Sequence, residues 1–488
     1  MSDQLLEFAV SEPMELVIVA HRLPFELVEG DDGILTCRRS PGGLVSALQS
    51  ALRNRRALWI GSAGRSSDQA AADVADTEVA AECELNEIVL DREDSGPHHF
   101  GVCTGAIWPL YHNSVVAPEY LETDFTAYRR VNEIFAARAA ERAAKGGTVW
   151  VHDYQLQLVP AMLRRLRPDV RIGFFLHIPF PPDELFEQMP WHKQLLDGIL
   201  GADLIGFQTE RDAAHFLAAT QRFVGLRVDA GRVQIDDSVS RRDVVVGCFP
   251  VGIDAERYAA AAAMPEVIER ASQIRRELGN PHKLIVAIDR LDYTKGIDLR
   301  IHAFAELIAD CTAHDSGAVM VQVALLTREA VPEYRHHRRD IERLVTRTND
   351  SNGETDRLHV DYVQQPLDLL ELVAMYVAAD VMMVTPRSDG MNLVAKEYVA
   401  TRLHDDGALI LSEFAGAALQ LDAAWLVDPH DIAQLKTAMA AALEADQPEL
   451  QQRMSALRAH VHEYDVDRWF QLFLDLLTAM PSTVDRRR

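Results

Sequence analysis

The 488-residue chain lacks the marks of several large protein classes. It has five cysteines, Cys37, Cys83, Cys103, Cys248 and Cys311, an odd and widely spaced set with no C-x-x-C pair and no zinc-ligand spacing. Reduced thiols are expected, and neither a disulfide framework nor a structural zinc site is. No apolar run reaches the roughly 18 residues of a membrane span. The opening MSDQLLEF carries acids where a secretory leader needs a basic region, so a cytoplasmic protein is expected. Basic charge is scarce too: 49 Lys and Arg against 74 Asp and Glu leave a formal charge of −25, which repels nucleic acid and anionic membranes. An anionic ligand must therefore be met by a local basic pocket. No G-x-G-x-x-G follows the first apolar strand and no G-x-x-x-x-G-K-[ST] occurs, so nicotinamide and P-loop chemistry lose their main support.

What is present is ordinary globular material, 48% hydrophobic and 25% charged, long enough for two or three domains. Short runs at Glu15–Ala20, Ala57–Ile60, Val149–His152, Arg171–His177 and Leu204–Gln208 are apolar throughout rather than alternating, as strands buried on both faces are. The pattern restarts after Phe249-Pro250-Val251-Gly252, with Leu284–Ile288, Val319–Leu326, Val381–Thr385, Ala408–Leu411 and Ala424–Val427. The expected fold is α/β: two Rossmann-like doubly wound domains, 1–249 and 250–465, facing across a cleft. Residues 466–488 are expected to form a C-terminal helix crossing back to the first domain, apolar on a helical period over Asp467–Met480, with the end 485–488 frayed. Doubly wound sheets bind ligands at the carboxyl ends of their strands, so the chemistry is sought there.

Three strand exits stand out. Ser40-Pro41-Gly42-Gly43-Leu44 opens an apolar helix, where Gly42 and Gly43 would let backbone N–H groups approach an anion; a plain loop is the alternative. Arg290 and Lys295, five positions apart after an apolar strand, suit a diphosphate, or form a salt-bridged surface loop. Asp389-Gly390-Met391-Asn392-Leu393-Val394 reads as strand, tight turn and helix start, an anion site, with Glu397 two turns further on, able to accept from ribose hydroxyls. His152-Asp153 and His177 end apolar strands, where active-site groups belong. The pairs His98-His99 and His336-His337 should point in different directions and not chelate, and Arg335–Arg339 reads as a solvated helix face. Asp465-Val466-Asp467 reads as helix-capping acids.

These residues together resemble the trehalose-6-phosphate synthases, retaining glucosyltransferases of the two-Rossmann-domain (GT-B) type. The resemblance spans nearly the whole chain and rests on Gly42-Gly43-Leu44, Trp108-Pro109, Val151-His152-Asp153-Tyr154, Phe175 to Pro181, Arg290-Leu291-Asp292-Tyr293 with Lys295-Gly296, and Asp389 to Ala400. It implies transfer of glucose from a nucleoside-diphosphate glucose, with UDP, ADP or GDP open as the nucleotide, to glucose 6-phosphate, giving α,α-trehalose 6-phosphate without metal or cofactor. It implies that Gly42, Gly43, Arg290, Lys295, the turn Gly390-Met391-Asn392, the backbone from Leu393 and Val394, and Glu397 hold the nucleotide sugar, with His177 and Asp389 on the donor glucose. Arg22, His99 and Arg328 would meet the acceptor phosphate, Asp153 the acceptor sugar, and Trp108 with Ile178 would select its anomer. Asp153, His177, Arg290 and Lys295 form the implied catalytic set, acting by positioning and by stabilising the departing diphosphate while the acceptor attacks the face it leaves.

The chain departs from that pattern at His99, where relatives commonly carry Tyr nine positions before the Trp of Trp-Pro. An imidazole there would bind phosphate better protonated, which predicts tighter acceptor binding as pH falls from about 8 to 6.5. Tyr362 to Leu367, expected near the nucleobase, lacks an aromatic seen in some relatives. The expected partners are small-molecule substrates and other copies of the chain, with no nucleic acid and no membrane, and removal of the product's phosphate is expected to need a separate enzyme. Two other readings are another GT-B activity, such as a glucan synthase or a nucleotide-sugar epimerase, and a non-catalytic sugar-phosphate sensor. A polymer acceptor would leave Arg22 and Arg328 without partners, whereas a sugar phosphate uses both.

Overall fold

Runs of Val, Ile, Leu and Phe that alternate with amphipathic helical stretches become strands buried on both faces, and they do so twice along the chain. The structure, a computed structural model, describes residues 12–29, 35–40, 42–53, 55–64, 83–114, 116–236, 241–310, 317–328, 331–350 and 358–481. Its strands are β1 (Met14–Arg22), β2 (Phe25–Glu29), β3 (Leu35–Arg39), β4 (Leu58–Ser62), β5 (Glu84–Glu87), β6 (Ala143–His152), β7 (Arg171–Phe175), β8 (Leu204–Phe207), β9 (Arg227–Asp229), β10 (Arg232–Asp236) and β11 (Arg241–Cys248), then β12 (Lys283–Arg290), β13 (Ala318–Leu325), β14 (Val360–Val363), β15 (Val381–Val384), β16 (Ala408–Ser412) and β17 (Trp425–Val427).

The first sheet runs β5-β4-β1-β6-β7-β8-β11-β10-β9 and the second β14-β13-β12-β15-β16-β17. The second is parallel throughout. In both, the strand order reverses beside the first strand of the unit, at β1/β6 and at β12/β15, the switch point where doubly wound sheets bind ligands. The fold is the α/β arrangement of two Rossmann-like sheets expected for the GT-B type.

The apolar runs all became strands. The elements the runs did not reveal are β5, β11, β14, the hairpin β2–β3, and the antiparallel β9–β10 extension, which makes the first sheet mixed rather than wholly parallel. Their residues are charged or alternating, so they lack the all-apolar signature of central strands. Residues 1–11, Cys311, the Cys37 side chain and the tail 485–488 lie outside the described residues. Cys103 and Cys248 are free thiols. Among the described residues no helix is long and apolar enough to cross a membrane.

Two crossings join the sheets. The first follows β11 through Val251 and Gly252, and the second enters the helix Val466–Thr478, which Asp465 caps by accepting from the Arg468 N–H at 2.8 Å. The crossings are pressed together: a Cβ on Gly252 would stand 2.2 Å from the Asp465 carbonyl carbon, and the Val466 N–H donates to Ile253 O at 3.0 Å. The helix then lies on the first sheet, burying Trp469, Phe470, Phe473 and Leu477. Phe473 stacks on Trp150 of β6 at 4.2 Å, with the ring planes 5° apart. It fits there because β7 and β8 carry Gly173 and Gly206, where a Cβ would come within 2.7 and 2.8 Å of its ring. Phe473→Ala empties that slot and should cost about 3–5 kcal/mol in urea unfolding. A loss below about 1 kcal/mol would mean the helix contributes little to holding the first sheet.

Candidate active site at the facing strand ends

The carboxyl ends of the two sheets face each other closely. A Cβ on Gly390, beyond β15, would stand 2.0 Å from the His177 carbonyl oxygen and 3.1 Å from Ile178 Cα, both beyond β7. A Cβ on Gly43 would meet Leu393 Cδ1 at 2.9 Å, so the starts of the helices Gly43–Leu52 and Leu393–Thr401 oppose one another. Gly42 sits at φ +131°, a conformation that suits glycine.

The centre of the cleft is a buried carboxylate that the motif reading passed over as a site residue. Asp292, just after β12, has no exposed surface. Its Oδ1 accepts from the Thr294 N–H (3.0 Å), the Thr294 hydroxyl (2.9 Å) and Trp108 Nε1 (3.4 Å), and its Oδ2 from Arg328 Nη1 (3.2 Å) and the Tyr334 hydroxyl (3.0 Å). Burial pushes this carboxyl upward, but the Arg328 and Arg290 guanidiniums and the Lys295 ammonium outweigh it and hold it below the usual range. Arg328, at φ +51°, follows β13; Nη1 also donates to the Tyr334 hydroxyl, Nη2 to the Tyr154 hydroxyl at 3.1 Å, and its carbon lies 4.1 Å over the Trp108 ring. Arg290 lies over the same ring at 5.3 Å. The signal for Asp292 was in the sequence, inside the Arg290–Lys295 stretch. What it lacked was the identity of the distant partners Trp108, Arg328 and Tyr334.

Arg22 ends β1 with its side chain 44% exposed, 3.5 Å from Glu26 and within electrostatic reach of Arg290 and Arg328. His99 adjoins this group on the π-helix Pro97–Ile107. Contrary to the reading that neighbouring histidines diverge, His98 and His99 both stack on His21, at 5.0 and 5.9 Å. A π-helical turn is wider than an α-helical one and brings both rings to the same partner. The expectation that His99 titrates between pH 8 and 6.5 is also corrected: burial first, then the Arg22 and Arg328 charges, lower its pKa well below the ordinary value, so it stays neutral across that window.

On the opposite wall Lys295 Nζ donates to Asp389 Oδ2, which also accepts from Asn392 Nδ2 at 3.1 Å. Burial opposes ionisation of Asp389, and the Lys295 ammonium overcomes it and keeps the carboxyl below its usual range. Lys295 reaches this position because Asp292 caps the turn Tyr293–Lys295 and Gly296 follows at φ +63°, 2.5 Å (as a Cβ) from the Thr385 carbonyl. Asn392, at φ +73°, starts the helix Leu393–Thr401 without a side-chain cap, so the first N–H groups of the helix, which follows Met391 and includes Val394, have no capping side chain. Glu397 is buried, its Oε2 accepting from the Tyr376 hydroxyl at 2.8 Å with Tyr258 as a second donor, and burial raises its pKa.

His177 is set by a second chain of contacts. Its Nε2 lies 3.1 Å from His152 Nδ1 and its Nδ1 3.5 Å from Gln208 Nε2. Burial lowers its pKa to about 3, so it is a neutral hydrogen-bonding group. Its backbone N–H donates to Asp153 Oδ1 at 3.1 Å. Asp153 itself sits at φ +74°, with its N–H donating to Phe175 O at 2.7 Å, which turns the carboxyl from the end of β6 into the cleft. Burial pushes its pKa up to about 7, against the N–H groups of His177 and Tyr154 and the Arg290 and Arg328 charges. The site residues thus collect on two walls, Arg22, His99, Trp108, Asp153, His177 and Ile178 against Arg290, Lys295, Arg328 and Asp389–Glu397. Among the described residues no group of three His, Cys, Asp or Glu side chains is placed to hold a metal ion.

The chain matches the family model described as glycosyltransferase family 20 over residues 14–479. It is 46% identical over 485 residues to the trehalose-6-phosphate synthase of Mycolicibacterium smegmatis, covering 98% of this chain and 95% of that one. Its fold matches that of an α,α-trehalose-phosphate synthase (UDP-forming) from Burkholderia xenovorans in complex with glucose 6-phosphate, with a TM-score of 0.86 at 31% identity over 95% of this chain and all of the other. A structure from E. coli bound with UDP-2-fluoro glucose matches with a TM-score of 0.84 at 29% identity, covering 96% and 99% of the two chains.

The elevated Asp153 gives a pH signature. Between 3.8, its ordinary value, and about 7 the folded state holds a proton that the unfolded state has lost, so this group makes stability fall as pH rises through that window. Asp153→Asn has no such proton. Its stability relative to the parent chain should therefore improve steadily from about pH 4 to 7 and level off above, in urea titrations at matched ionic strength. A difference constant over that range would mean that Asp153 ionises normally.

Proposed function

The chain belongs to glycosyltransferase family 20, is a trehalose-6-phosphate synthase of that family, and on that premise we propose that it takes glucose from UDP-glucose, or an ADP or GDP counterpart, to the anomeric hydroxyl of glucose 6-phosphate with retention at the donor carbon. The observation that carries this reading is a cluster of cations, Arg328 with Arg22 nearby and Arg290 with Lys295, gathered at one cleft in a protein of net charge −25. Arg328, anchored by Asp292 and seated on Trp108, is fixed in place before any ligand arrives and, with Arg22 nearby, meets the acceptor phosphate. Neutral His99 adds a hydrogen bond in place of charge. Asp153, directed inward by its backbone, takes a hydroxyl of the acceptor sugar, and Trp108 with Ile178 limits the anomer that fits.

The donor lies on the second sheet. Arg290, Lys295 and the uncapped start of Leu393–Thr401 surround its diphosphate, with Gly42 and Gly43 closing from the other side. Lys295 exchanges part of its bond to Asp389 for a phosphate oxygen, freeing Asp389 for a hydroxyl of the donor glucose. His177, neutral and held by His152 and Gln208, takes another. Glu397, steadied by Tyr376, offers its remaining lone pairs to ribose. As the glycosidic bond breaks, charge grows on the diphosphate where these cations converge, so they stabilise the transition state more than the bound donor. The acceptor hydroxyl attacks the same face and gives its proton to the departing phosphate oxygen. Residues 1–249 would then carry the acceptor and 250–465 the donor, with 466–488 bracing the first unit.

The test is incubation with glucose 6-phosphate and UDP-, ADP- or GDP-glucose in turn, following released nucleotide and the product's anomeric proton couplings. At least one donor should give equal amounts of nucleotide and α,α-trehalose 6-phosphate. Binding without nucleotide release would make the protein a sensor. Glucose added to a glucan but not to glucose 6-phosphate would make it a different transferase.

A further inference from the structure

Asp292 does more than neutralise Arg328. Its donors come from both walls: Trp108 belongs to the segment after the π-helix of the first sheet unit, whereas Thr294, Arg328 and Tyr334 belong to the second. Arg328 in turn reaches back to Tyr154 of the first unit. A buried carboxylate is tolerated only when its lone pairs are filled, and removing any one donor leaves the rest to carry that cost. The same carboxylate caps the turn that presents Lys295 to the donor and fixes the guanidinium that faces the acceptor.

We infer that Asp292 is a positioning residue that couples the two substrate sites, so that filling either one strengthens binding at the other. The inference rests on the proposed function. The contacts Trp108–Asp292 and Arg328–Tyr154 exist only when the strand ends are together. A ligand that holds Arg328 or the Lys295 turn in this arrangement meets the cost of bringing the walls together once, and the second ligand binds walls already in place. Asp292 touches neither substrate. It acts through Arg328, through the Tyr293–Lys295 turn and through Trp108.

The experiment is a calorimetric cycle on the full chain: glucose 6-phosphate and UDP each titrated alone and again with the other saturating. The parent chain should show each ligand binding at least about fivefold tighter in the presence of the other, with the same factor in both directions. In Asp292→Asn, which places an amide N–H toward Arg328, the factor should fall below about twofold. Trp108→Phe keeps an aromatic face under Arg328 but removes the N–H that bridges the walls, and it decides the matter if Asp292→Asn does not fold; its factor should fall as well. A purely structural role would reduce the number of binding-competent molecules and leave the ratio of affinities unchanged. A coupling factor that is absent in the parent, or that persists in a folded variant, overturns the inference. Failure of the parent to bind either ligand overturns the proposed function, and this inference with it.

Discussion

The ion pair of Asp292 with Arg328 is buried on both sides, with side chains 0% and 6% exposed, and the rest of the cleft is arranged around it. For the two anionic substrates proposed above, an acidic protein needs cations whose positions do not depend on solvent or on the ligand. Each cation that faces the cleft from the second sheet is accordingly tied to a carboxylate or an aromatic face. Arg328 has Asp292 and Trp108, Lys295 has Asp389, and Arg290 has Trp108. Behind them Arg300, fully buried, pairs with Asp289 and donates to the Lys295 carbonyl, so the turn is held from below as well. Burial makes such pairs costly in isolation, and what they provide is side chains held in place before a ligand arrives.

The same economy explains the glycines at the interface. Gly390 against the His177 backbone and Gly252 against the Asp465 backbone leave no room for a Cβ, and Gly43 abuts the Leu393 side chain. These three points bring the walls of the cleft, the two helix starts and the two chain crossings within contact. Backbone N–H groups can then serve as ligands, because no side chain separates them from the bound molecule. At the crossing, Val251 is held from both units: its N–H donates to Gln208 Oε1 at 3.0 Å and its carbonyl accepts from Lys396 Nζ at 2.7 Å. Gln208 also contacts His177, and Lys396 lies on the Leu393–Thr401 helix. The linker is therefore tied to both walls of the cleft.

Much of this was legible before the structure. Central strands such as β6 and β12 announce themselves because burial on both faces demands unbroken apolar runs, and the residues at their carboxyl ends, Asp153 and Arg290, fall at the switch points where this fold binds ligands. Edge elements such as β9, β10 and the β2–β3 hairpin were not legible, because a half-exposed strand with charged residues resembles a loop. Asp292 was quoted within a motif yet not assigned, since its importance lies in partners at positions 108, 328 and 334 that no local pattern links. His99 was placed near the acceptor arginines from a departure in spacing. Its ionisation was misjudged, because burial and two guanidiniums act through space. The stacking of His98 and His99 on one ring depended on a π-helix that spacing rules for α-helices do not anticipate.

The central claim is that the buried guanidinium of Arg328 is the anchor for the acceptor's phosphate and not part of the nucleotide site. Calorimetric binding of the Arg328→Ala chain tests this most directly. Losing one charge-assisted contact of roughly 1.5–3 kcal/mol should weaken glucose 6-phosphate about 10- to 150-fold, while UDP measured alone keeps its affinity within about twofold. A collapse of UDP affinity with glucose 6-phosphate binding intact would contradict the account and move Arg328 to the donor side.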